Sequence, residues 1–409
     1  LKTLNPEQDA ALQSILEGVD ARAFHSYLLH GVTGSGKTEV YIHAMARVLA
    51  QGRAAMVLVP EIALTPQTVN RFTRVFGDQV AVLHSRLTPR ERLDAWLDLA
   101  RGRRRIAIGP RSAVFAPLPD LGLLVVDEEH DGSYKQFDPA PRYHARDVAL
   151  VRAKTLGAVV ILGSATPSIT TRYAAESGKH TLLTLAGRPF GAMPEVKILD
   201  MKQYRPAMRG PLAVPLFRAI ETALSKREQA ILLLNRRGFA SYLQCEACGH
   251  IPESPECSVS LTYHRARNLL LCHYTGYSRR ADTRCEVCGS EEITLKGSGT
   301  EQVENAVQEL FPDARLVRMD RDTTAGRTDH ARIYTQVLER RADILIGTQM
   351  LAKGLDFPHV TVVGVLQAEN ELAFPSWRSS ERLFQLLSQV SGRAGRDRTP
   401  GKVFIQTWK

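Results

Sequence analysis

The sequence predicts an α/β protein with two lobes, each built on a parallel β-sheet that helices cover on both faces. Continuously apolar runs such as Tyr27–Leu29 and Leu121–Val126 alternate with amphipathic stretches such as Glu39–Ala50. Uninterrupted apolar strands between helices are typical of parallel sheets buried on both sides. The alternation stops near residues 185–205 and resumes at Ala230–Leu234. A length of 409 residues also allows two or three domains.

The same pattern divides the chain along its length. Gly and Pro residues near 185–205 predict a linker there, because they interrupt periodic apolar patterns. We expect a first lobe over 1–190, a linker and the start of the second lobe over 191–243, a cysteine-rich insertion over 244–290, and the rest of the second lobe over 291–409. The further predicted strands are Ala55–Val59, Val80–Leu83, Ile106–Ile108, Val159–Leu162, Arg315–Met319, Asp343–Ile346, Val360–Leu366 and Lys402–Gln406.

The composition is that of a folded protein with a mild basic excess. Hydrophobic residues make up 44% of the chain and aromatic residues 7%, which excludes wholesale disorder. The 53 basic and 43 acidic side chains leave a net charge of +10, which favours polyanionic partners such as nucleic acid. No apolar run approaches the roughly 20 residues of a membrane helix, so we expect no membrane partner. Because the chain begins at Leu1, we expect it to be a piece of a longer protein.

A glycine-rich loop at Gly31–Thr38 fits the pattern G-x-x-x-x-G-K-[ST]. It follows a predicted strand and precedes a predicted helix, the context in which this pattern binds the phosphates of a nucleotide. The glycines let backbone N–H groups surround the phosphates, Lys37 reaches the β- and γ-phosphates, and Thr38 binds Mg²⁺. The predicted nucleotide-binding residues of this loop are Gly31, Gly34, Ser35, Gly36, Lys37 and Thr38.

Acidic residues follow the predicted strand that ends at Val126. The carboxyl ends of strands are where open α/β sheets bind ligands. Asp127 is therefore a candidate ligand of Mg²⁺, and Glu128 is a candidate general base that polarises the attacking water. Acidic residues after a strand are often only a solvated loop, and the glycine-rich loop is what favours the catalytic interpretation.

Two further segments are candidates for coupling and catalysis. Gly163–Pro167, after another predicted strand, carries small polar residues that could couple the nucleotide site to the neighbouring lobe. Near the C-terminus, Arg393 and Arg396 lie three residues apart in a glycine-flanked segment. An arginine that reaches the transferring phosphate from another lobe stabilises its charge. The alternative for this pair is a basic surface turn.

The segment after the acidic residues mixes aromatic and basic side chains. Aromatic rings stack on bases and cations bind phosphates, which is how proteins hold single strands without reading their sequence. For Tyr143, packing in the core is the alternative. The candidate DNA-binding residues are Tyr134, Lys135, Phe137, Arg142 and Tyr143.

The six cysteines lie between Cys245 and Cys288. One tight cluster in a long chain without a signal peptide indicates metal binding in a reducing compartment, so we expect a cytoplasmic protein. The outer pairs keep the C-x-x-C spacing of a tetrahedral zinc site. The predicted zinc ligands are Cys245, Cys248, Cys285 and Cys288, with Cys257 and Cys272 as doubtful ligands of a second zinc.

Taken in order, these motifs resemble a superfamily 2 helicase motor with two RecA-like lobes. Further motifs resemble the primosomal protein N′ family, the replication-restart helicase PriA. They are LNPEQ, VPEIALT, YHARD, LNRRG, GSGTEQ and GTQMLAKG, in this order along the chain. The resemblance covers essentially the whole chain, but the DNA-binding N-terminal region and the C-terminal domain of the family do not fit within it.

The resemblance implies an ATP-dependent DNA helicase that unwinds 3′→5′ at stalled or abandoned replication forks and initiates primosome assembly. It implies ATP, Mg²⁺ and Zn²⁺ as cofactors, and Gln8 as the residue that recognises adenine. The implied partners are forked and single-stranded DNA, single-strand binding protein and primosome proteins, and we expect a monomer. Two alternatives stay open: a duplex DNA translocase that does not separate strands, and a primosome-loading scaffold whose motor is inactive.

The chain departs from the family in the cysteine segment. The family has four C-x-x-C pairs that hold two zinc ions, whereas here Ser260 and Thr275 stand where the inner pairs would have their second cysteines. Hydroxyl groups are poor zinc ligands beside thiolate and imidazole. Either His264 or His273 completes the inner site, or Cys257 and Cys272 are free or structural thiols.

Overall fold

The computed structural model of the chain separates into two compact units, Leu1–Phe190 and Gly191–Lys409, here called lobe 1 and lobe 2. Each lobe is considered by itself. The structure describes residues 1–61, 64–85, 87–187, 194–235, 242–257, 259–264, 267–296, 300–320, 323, 329–348, 351, 357–372, 376–395 and 401–408.

Lobe 1 is a seven-stranded parallel sheet with helices on both faces, in the strand order β3-β4-β2-β5-β6-β1-β7. Its elements are α1 (Pro6–Asp20), β1 (His25–Gly31), α2 (Lys37–Ala50), β2 (Ala54–Leu58), α3 (Pro66–Phe76), β3 (Val80–Val82), α4 (Pro89–Ala100), β4 (Ile106–Gly109), β5 (Leu121–Asp127), α5 (Ala145–Leu156), β6 (Val159–Ser164), α6 (Ile169–Glu176) and β7 (Thr181–Leu185). Short 3₁₀ turns occupy Gly77–Gln79, Arg111–Phe115 and Gly132–Tyr134.

The central strands of lobe 1 are buried on both faces. In β5, Leu123 and Val125 pack into one hydrophobic cluster, whereas Leu124 and Val126 pack into the other. Because successive side chains of a strand point to opposite faces, a strand between two helical layers must be apolar throughout. The prediction of a parallel, doubly covered sheet is confirmed for this lobe.

Lobe 2 contains a six-stranded parallel sheet in the order β17-β18-β11-β19-β20-β8. Its elements are β8 (Glu195–Asp200), α7 (Met201–Tyr204), β9 (Met208–Arg209), β10 (Leu212–Ala213), α8 (Val214–Ser225), β11 (Gln229–Leu234), β12 (Tyr242–Cys245), β13 (Thr262–His264), β14 (Leu269–Leu271), β15 (Ser278–Arg280), β16 (Ile293–Lys296), α9 (Thr300–Leu310), β17 (Leu316–Met319), α10 (Asp329–Leu338), β18 (Ile344–Gly347), β19 (Val360–Leu366), α11 (Ser379–Ser391) and β20 (Lys402–Thr407). Short 3₁₀ turns occupy Arg205–Ala207 and Ala368–Glu371. Among the described helices of both lobes, none combines the length and apolar character that crossing a bilayer requires.

The prediction of a linker over 185–205 is wrong for its second part. Glu195–Asp200 forms β8, which pairs in parallel with β20 at the edge of the lobe 2 sheet. Four of its six residues are exposed, so the strand lacks the apolar run that identifies a buried strand. An edge strand has one neighbour and one open side, which tolerates charged residues such as Lys197.

The cysteine-rich insertion leaves and re-enters lobe 2 through an antiparallel ribbon of β12 and β16. Beyond the ribbon, β13, β14 and β15 form a small antiparallel sheet. The hydrophobic cluster at this sheet contains the buried residues Leu243, Leu261, Leu270 and Cys272. So small a core needs additional cross-links, which in small domains are metals or disulfides.

Gln229 tests the packing of lobe 2. Its buried Nε2 donates hydrogen bonds of 2.8 Å to the Val337 carbonyl and 2.7 Å to the Ala342 carbonyl. Gln229→Ala should lower the local free energy of unfolding by about 2 kcal/mol or more, because each buried carbonyl left without a donor costs about 1–3 kcal/mol. Hydrogen exchange of β11 and β18 measures this, and the exposed Gln203→Ala should change it by less than about 0.5 kcal/mol. If hydrogen exchange of β11 and β18 changed equally in the two variants, the stabilising role of the Gln229 hydrogen bonds would be contradicted.

Candidate nucleotide and metal sites

The glycine-rich loop between β1 and α2 has the backbone of a phosphate-binding loop. Gly34 and Gly36 adopt φ values of 85° and 84°, in the left-handed region that glycine occupies without strain. Gly36 is the residue immediately before α2, and a Cβ there would collide with the Gln8 side chain. The first backbone N–H groups of α2 are therefore directed at this loop, which favours an anion.

The side chains of the loop fit a bound polyphosphate. Lys37 Nζ donates a 2.7 Å hydrogen bond to the Gly31 carbonyl, which holds the ammonium group within the loop. Ser35 is buried, and within the described residues its Oγ has no hydrogen-bond partner. A buried hydroxyl without a partner is unfavourable unless a ligand oxygen supplies one. Thr38 is half-buried in the first turn of α2.

Gln8 connects helix α1 to this loop. Its Nε2 donates a 2.8 Å hydrogen bond to the Ser35 carbonyl, and its Oε1 accepts one of 3.0 Å from the Asn5 N–H. Asn5 in turn accepts from the Gln8 N–H at 2.8 Å, which completes a capping box at the start of α1. The structure thus brings Gln8 to the loop, and its contact with adenine stays a prediction.

Asp127 lies at the carboxyl end of β5 beside the same loop. Tyr41 of α2 donates a 3.0 Å hydrogen bond to its Oδ1. Burial and then the Glu128 charge raise the pKa of Asp127 to about 6, while the Lys37 charge opposes the shift. A buried carboxylate held near a lysine suits a divalent cation, because the cation neutralises the charge that burial disfavours.

Glu128 differs from its neighbours in exposure and backbone. Its φ of 48° is in the left-handed region, which is strained for a residue with a side chain and is found most often at functional sites. Its side chain remains 31% exposed, with Oε2 3.7 Å from Nδ1 of His130. A carboxylate turned toward solvent can contact water, as the predicted general base must.

Glu129 is a site residue that sequence reasoning missed. It is fully buried and accepts hydrogen bonds from Ser168 N at 2.7 Å, Thr171 Oγ1 at 2.8 Å and Arg146 Nη1 at 3.0 Å. These three donors, one of them a guanidinium, satisfy the buried charge. The YHARD motif, which contains Arg146, was the available sequence signal, but the spacing of the motifs does not show that Arg146 pairs with Glu129.

The acidic segment also contacts the small polar residues after β6. His130 Nδ1 and Ser164 Oγ lie 2.7 Å apart, and Ser164 Oγ accepts a 2.9 Å hydrogen bond from the Thr166 N–H. The predicted coupling segment Gly163–Pro167 is thus bonded to the acidic residues within lobe 1. A Cβ at Gly163 would collide with the Tyr41 hydroxyl, so only glycine fits there.

The predicted DNA-binding residues fall into three groups. Tyr134 is fully buried, and its hydroxyl donates a 2.6 Å hydrogen bond to the Asp127 carbonyl. The prediction that Tyr134 stacks on DNA is therefore wrong, because its ring belongs to the core. Tyr143 is half-buried and packs edge-on against Phe115, with ring centroids 4.9 Å apart. Phe137, 69% exposed, and Arg142 are open to solvent, and Lys135 is half-buried.

A cleft of lobe 1 with a volume of about 390 Å³ adds residues that the sequence did not single out. It lies beside the 3₁₀ turn after β4, and Arg92, Trp96 and Arg111 contribute two guanidinium groups and an indole to its lining. Arg111 Nη1 donates a 2.8 Å hydrogen bond to the Lys135 carbonyl, which joins the cleft to residues 134–143, here called the aromatic loop. Arg111 follows the end of β4, where functional residues are expected, whereas Arg92 and Trp96 lie in α4 and carry no such sequence signal.

The late arginines belong to lobe 2. Arg393 is buried just after α11, and its N–H donates a 2.9 Å hydrogen bond to the Val390 carbonyl. Arg396 lies outside the described residues. The catalytic role of both stays a prediction.

The four outer cysteines converge as predicted. Their sulfur atoms all lie within 4.8 Å of one another, and the Cys245–Cys288 and Cys248–Cys285 pairs are both 3.6 Å apart. Four thiolates around one Zn²⁺ at about 2.3 Å lie roughly 3.8 Å apart, so this set fits zinc. Gly249 and Gly289, both at positive φ, follow the two C-x-x-C turns and let their backbones fold around a metal.

The inner cysteines do not form such a set. The Sγ atoms of Cys257 and Cys272 lie 3.6 Å apart. Among the residues that the structure describes, neither His264 nor His273 brings a ring nitrogen close enough to complete a group of three metal ligands with them. The two histidine rings instead contact each other, with centroids 5.4 Å apart. These residues do not fit a second zinc ion.

Three families match successive parts of the chain. Residues 5–174 match the DEAD/DEAH box helicase family, residues 255–280 the Cys-rich region (CRR) domain of PriA DNA helicase, and residues 295–398 the helicase conserved C-terminal domain. The first covers most of lobe 1, the third covers the part of lobe 2 that follows the insertion, and the second covers the inner part of the insertion.

Curated relatives are similar over almost the whole chain. The replication restart protein PriA of Bacillus subtilis is 48% identical over 407 residues, which cover 99% of this chain and 50% of that protein. The PriA protein of Chlamydia pneumoniae is 42% identical over 412 residues, which cover 100% of this chain and 55% of that protein. The chain thus spans about half the length of these relatives.

Solved structures share the fold. RecG bound to a three-way DNA junction aligns with a TM-score of 0.57 at 17% identity, covering 100% of this chain and 43% of that one. The DUF1998 helicase MrfA bound to DNA aligns with a TM-score of 0.57 at 16% identity, covering 99% and 48%. At such identities the likeness concerns the fold.

The metal content of the purified chain tests the cysteine assignment. One zinc per chain is expected, because one complete set of four thiolates is present. Cys248→Ser should lower the zinc content and loosen the insertion, since structural zinc supplies folding energy. Cys257→Ser is the matched control and should keep one zinc. Atomic emission spectroscopy gives the count, and full zinc retention by Cys248→Ser would refute the assignment.

Substitutions at the adjacent Glu128 and Glu129 test whether Glu129 stabilises lobe 1 and Glu128 does not. Glu129→Gln should lower the free energy of unfolding of lobe 1 by about 2 kcal/mol or more, because it removes a buried charge paired with Arg146. The same change at the more exposed Glu128 should alter it by less than about 0.5 kcal/mol. Hydrogen exchange of β5 and β6 measures both, and equal losses would contradict the assigned roles.

Proposed function

We propose that this chain, which belongs to the PriA family of replication restart proteins, is an ATP-driven DNA helicase motor. The observation that carries the proposal is the joint placement of the glycine-rich loop and Asp127 within lobe 1. Lys37 donates a 2.7 Å hydrogen bond to the Gly31 carbonyl of the loop, and Tyr41 of α2, the helix after the loop, donates one of 3.0 Å to Asp127. That juxtaposition, together with the helicase families matched by both lobes, supports nucleotide hydrolysis coupled to work on DNA.

The residues of lobe 1 divide the nucleotide chemistry among them. The Gly31–Thr38 loop holds the phosphates through its backbone N–H groups and Lys37, and bound ATP supplies the phosphoanhydride bond that is broken. Thr38 and Asp127 hold Mg²⁺. Glu128 orients the attacking water and accepts its proton.

Three further residues complete the proposed nucleotide chemistry. Gln8, bonded to the Ser35 carbonyl, is placed to recognise the adenine. In lobe 2, Arg393 and Arg396 are proposed to neutralise charge on the transferring phosphate.

Lobe 1 also offers a route from DNA to the nucleotide. We place single-stranded DNA against the exposed Phe137 and Arg142 and along the cleft of Arg92, Trp96 and Arg111, because exposed rings and guanidinium groups bind bases and phosphates. Tyr134 joins this loop to the Asp127 carbonyl, so a movement of the loop on binding DNA would reach the magnesium ligand.

The whole-protein functions of the family extend the proposal. They are unwinding of forked DNA in the 3′→5′ direction, initiation of primosome assembly, and contacts with single-strand binding protein and primosome proteins. The outer cysteines would hold one structural zinc that orders the insertion. Four cysteines kept as thiolate ligands are typical of a reducing compartment, so we place the protein in the cytoplasm. We also propose that it works as a monomer.

Strand displacement on a forked duplex, measured beside ATP hydrolysis with single-stranded and double-stranded DNA, tests the proposal. Lys37→Ala should lower hydrolysis by about a hundredfold or more, because it removes the cation that stabilises charge on the transferring phosphate. Lys154→Ala, an exposed lysine of the same lobe, is the matched control and should hydrolyse ATP like the unmodified chain.

The other outcomes are distinct. Wild-type hydrolysis by Lys37→Ala would refute the site. Hydrolysis stimulated by duplex alone, without displacement, would identify a translocase. No hydrolysis with any DNA would identify a scaffold.

A further inference from the structure

We propose that Cys257 and Cys272 form a reversible thiol–disulfide pair in the insertion, in place of a second zinc site. The inference goes beyond the motor function and does not depend on it. It concerns the segment that matches the Cys-rich domain of PriA helicases, 255–280, in which this chain keeps two cysteines.

The two sulfur atoms are already close to bonding distance. They lie 3.6 Å apart across 15 residues of sequence, and a disulfide at about 2.05 Å requires them to approach by about 1.5 Å, which side-chain rotation can supply. Cys272 follows β14, where its N–H donates a 2.8 Å hydrogen bond to the Tyr277 carbonyl, and is fully buried. Cys257 is half-buried, which leaves its sulfur within reach of a small reagent.

The remaining positions of the inner site offer hydroxyl groups. The Ser254 hydroxyl hydrogen-bonds Cys257 and the Thr275 hydroxyl hydrogen-bonds Cys272, and neither hydroxyl competes with thiolate for zinc. In the same chain, by contrast, each outer C-x-x-C turn supplies two sulfur atoms. With two sulfurs and no third ligand among the described residues, the inner pair lacks the coordination number of structural zinc.

Thr275 hydrogen-bonds the Cys272 sulfur and stabilises its thiolate form. Burial disfavours the Cys272 thiolate, but hydrogen bonds from the Thr275 hydroxyl and from the Thr275 and Tyr274 backbone outweigh it and lower the pKa of Cys272 to about 6. The distance between the two sulfur atoms does not depend on this pKa. The lowered pKa adds that the Cys272 sulfur, as a thiolate, is a nucleophile that faces Cys257.

The step requires an oxidant, and a peroxide is the class we name. Hydrogen peroxide transfers one oxygen to the accessible Cys257 sulfur, which becomes a sulfenic acid as water leaves. The Cys272 thiolate then attacks that sulfur and expels hydroxide, which takes up the proton that Cys272 released. Two thiols and one peroxide thus give one disulfide and two water molecules. A dithiol reductant reverses the reaction, as expected for disulfides in a reducing compartment.

The test uses the whole zinc-loaded chain treated with hydrogen peroxide. Free thiols are then alkylated under denaturing conditions, and tryptic peptides are mapped by mass spectrometry, since cleavage after Arg267 separates the two cysteines. The expected result is a linked pair of peptides containing Cys257 and Cys272, reversed by dithiothreitol, with one zinc per chain retained throughout.

Two variants make the result specific. Cys257→Ser, at the half-buried position, should abolish the linked peptides and keep one zinc, and Cys272→Ser should do the same. Because the mapping of the unmodified chain needs no variant, poor folding of Cys272→Ser would not affect it.

Three results would overturn the proposal. They are two zinc ions per chain that fall to one in Cys257→Ser, peroxide linkage of the outer cysteines with loss of zinc, and full alkylation of both inner cysteines after peroxide treatment.

Discussion

The arrangement of lobe 1 depends on three carboxylates at the end of one doubly buried strand. A carboxylate at such a place is unfavourable unless a partner compensates it, and each of the three has a different solution. Asp127 has Tyr41 and the nearby Lys37 charge, and Glu128 stays partly open to solvent. Glu129 has Arg146 and two further donors, Ser168 just before α6 and Thr171 within it. Helix α2, which follows the glycine-rich loop, the end of β6 and the aromatic loop are thereby hydrogen-bonded to a single segment.

This arrangement explains which site features the sequence could predict. The glycine-rich loop and the outer C-x-x-C pairs are visible because their chemistry lies in local spacing, and the buried strands are visible because both faces must be apolar. Tyr134 was misassigned because its neighbours are polar, while its burial is set by the core beneath β5. Glu129 was overlooked because its partners come from α5 and from the start of α6, which no local pattern indicates.

Prediction from sequence is also limited for a strand at the edge of the lobe 2 sheet. The strand β8 carries charges on an open side, so its sequence looks like a linker until β20 supplies the neighbour. A strand is recognised from sequence by what it buries, and an edge strand buries little. The central strands β11 and β19, buried throughout and largely apolar, were predicted for the opposite reason.

The base of the insertion holds its one complete set of four cysteines among the described residues. Cys245 ends β12 and pairs with Ile293 at the start of β16, so the outer cysteines close the insertion at its base. The segment between them, which contains the small sheet of β13, β14 and β15, has its ends joined by the outer cysteines, and closing such a segment restricts the unfolded chain. The inner pair therefore adds only a second, internal constraint. The proposed thiol chemistry of Cys257 and Cys272 would therefore leave the ribbon, the turns and the small sheet in place.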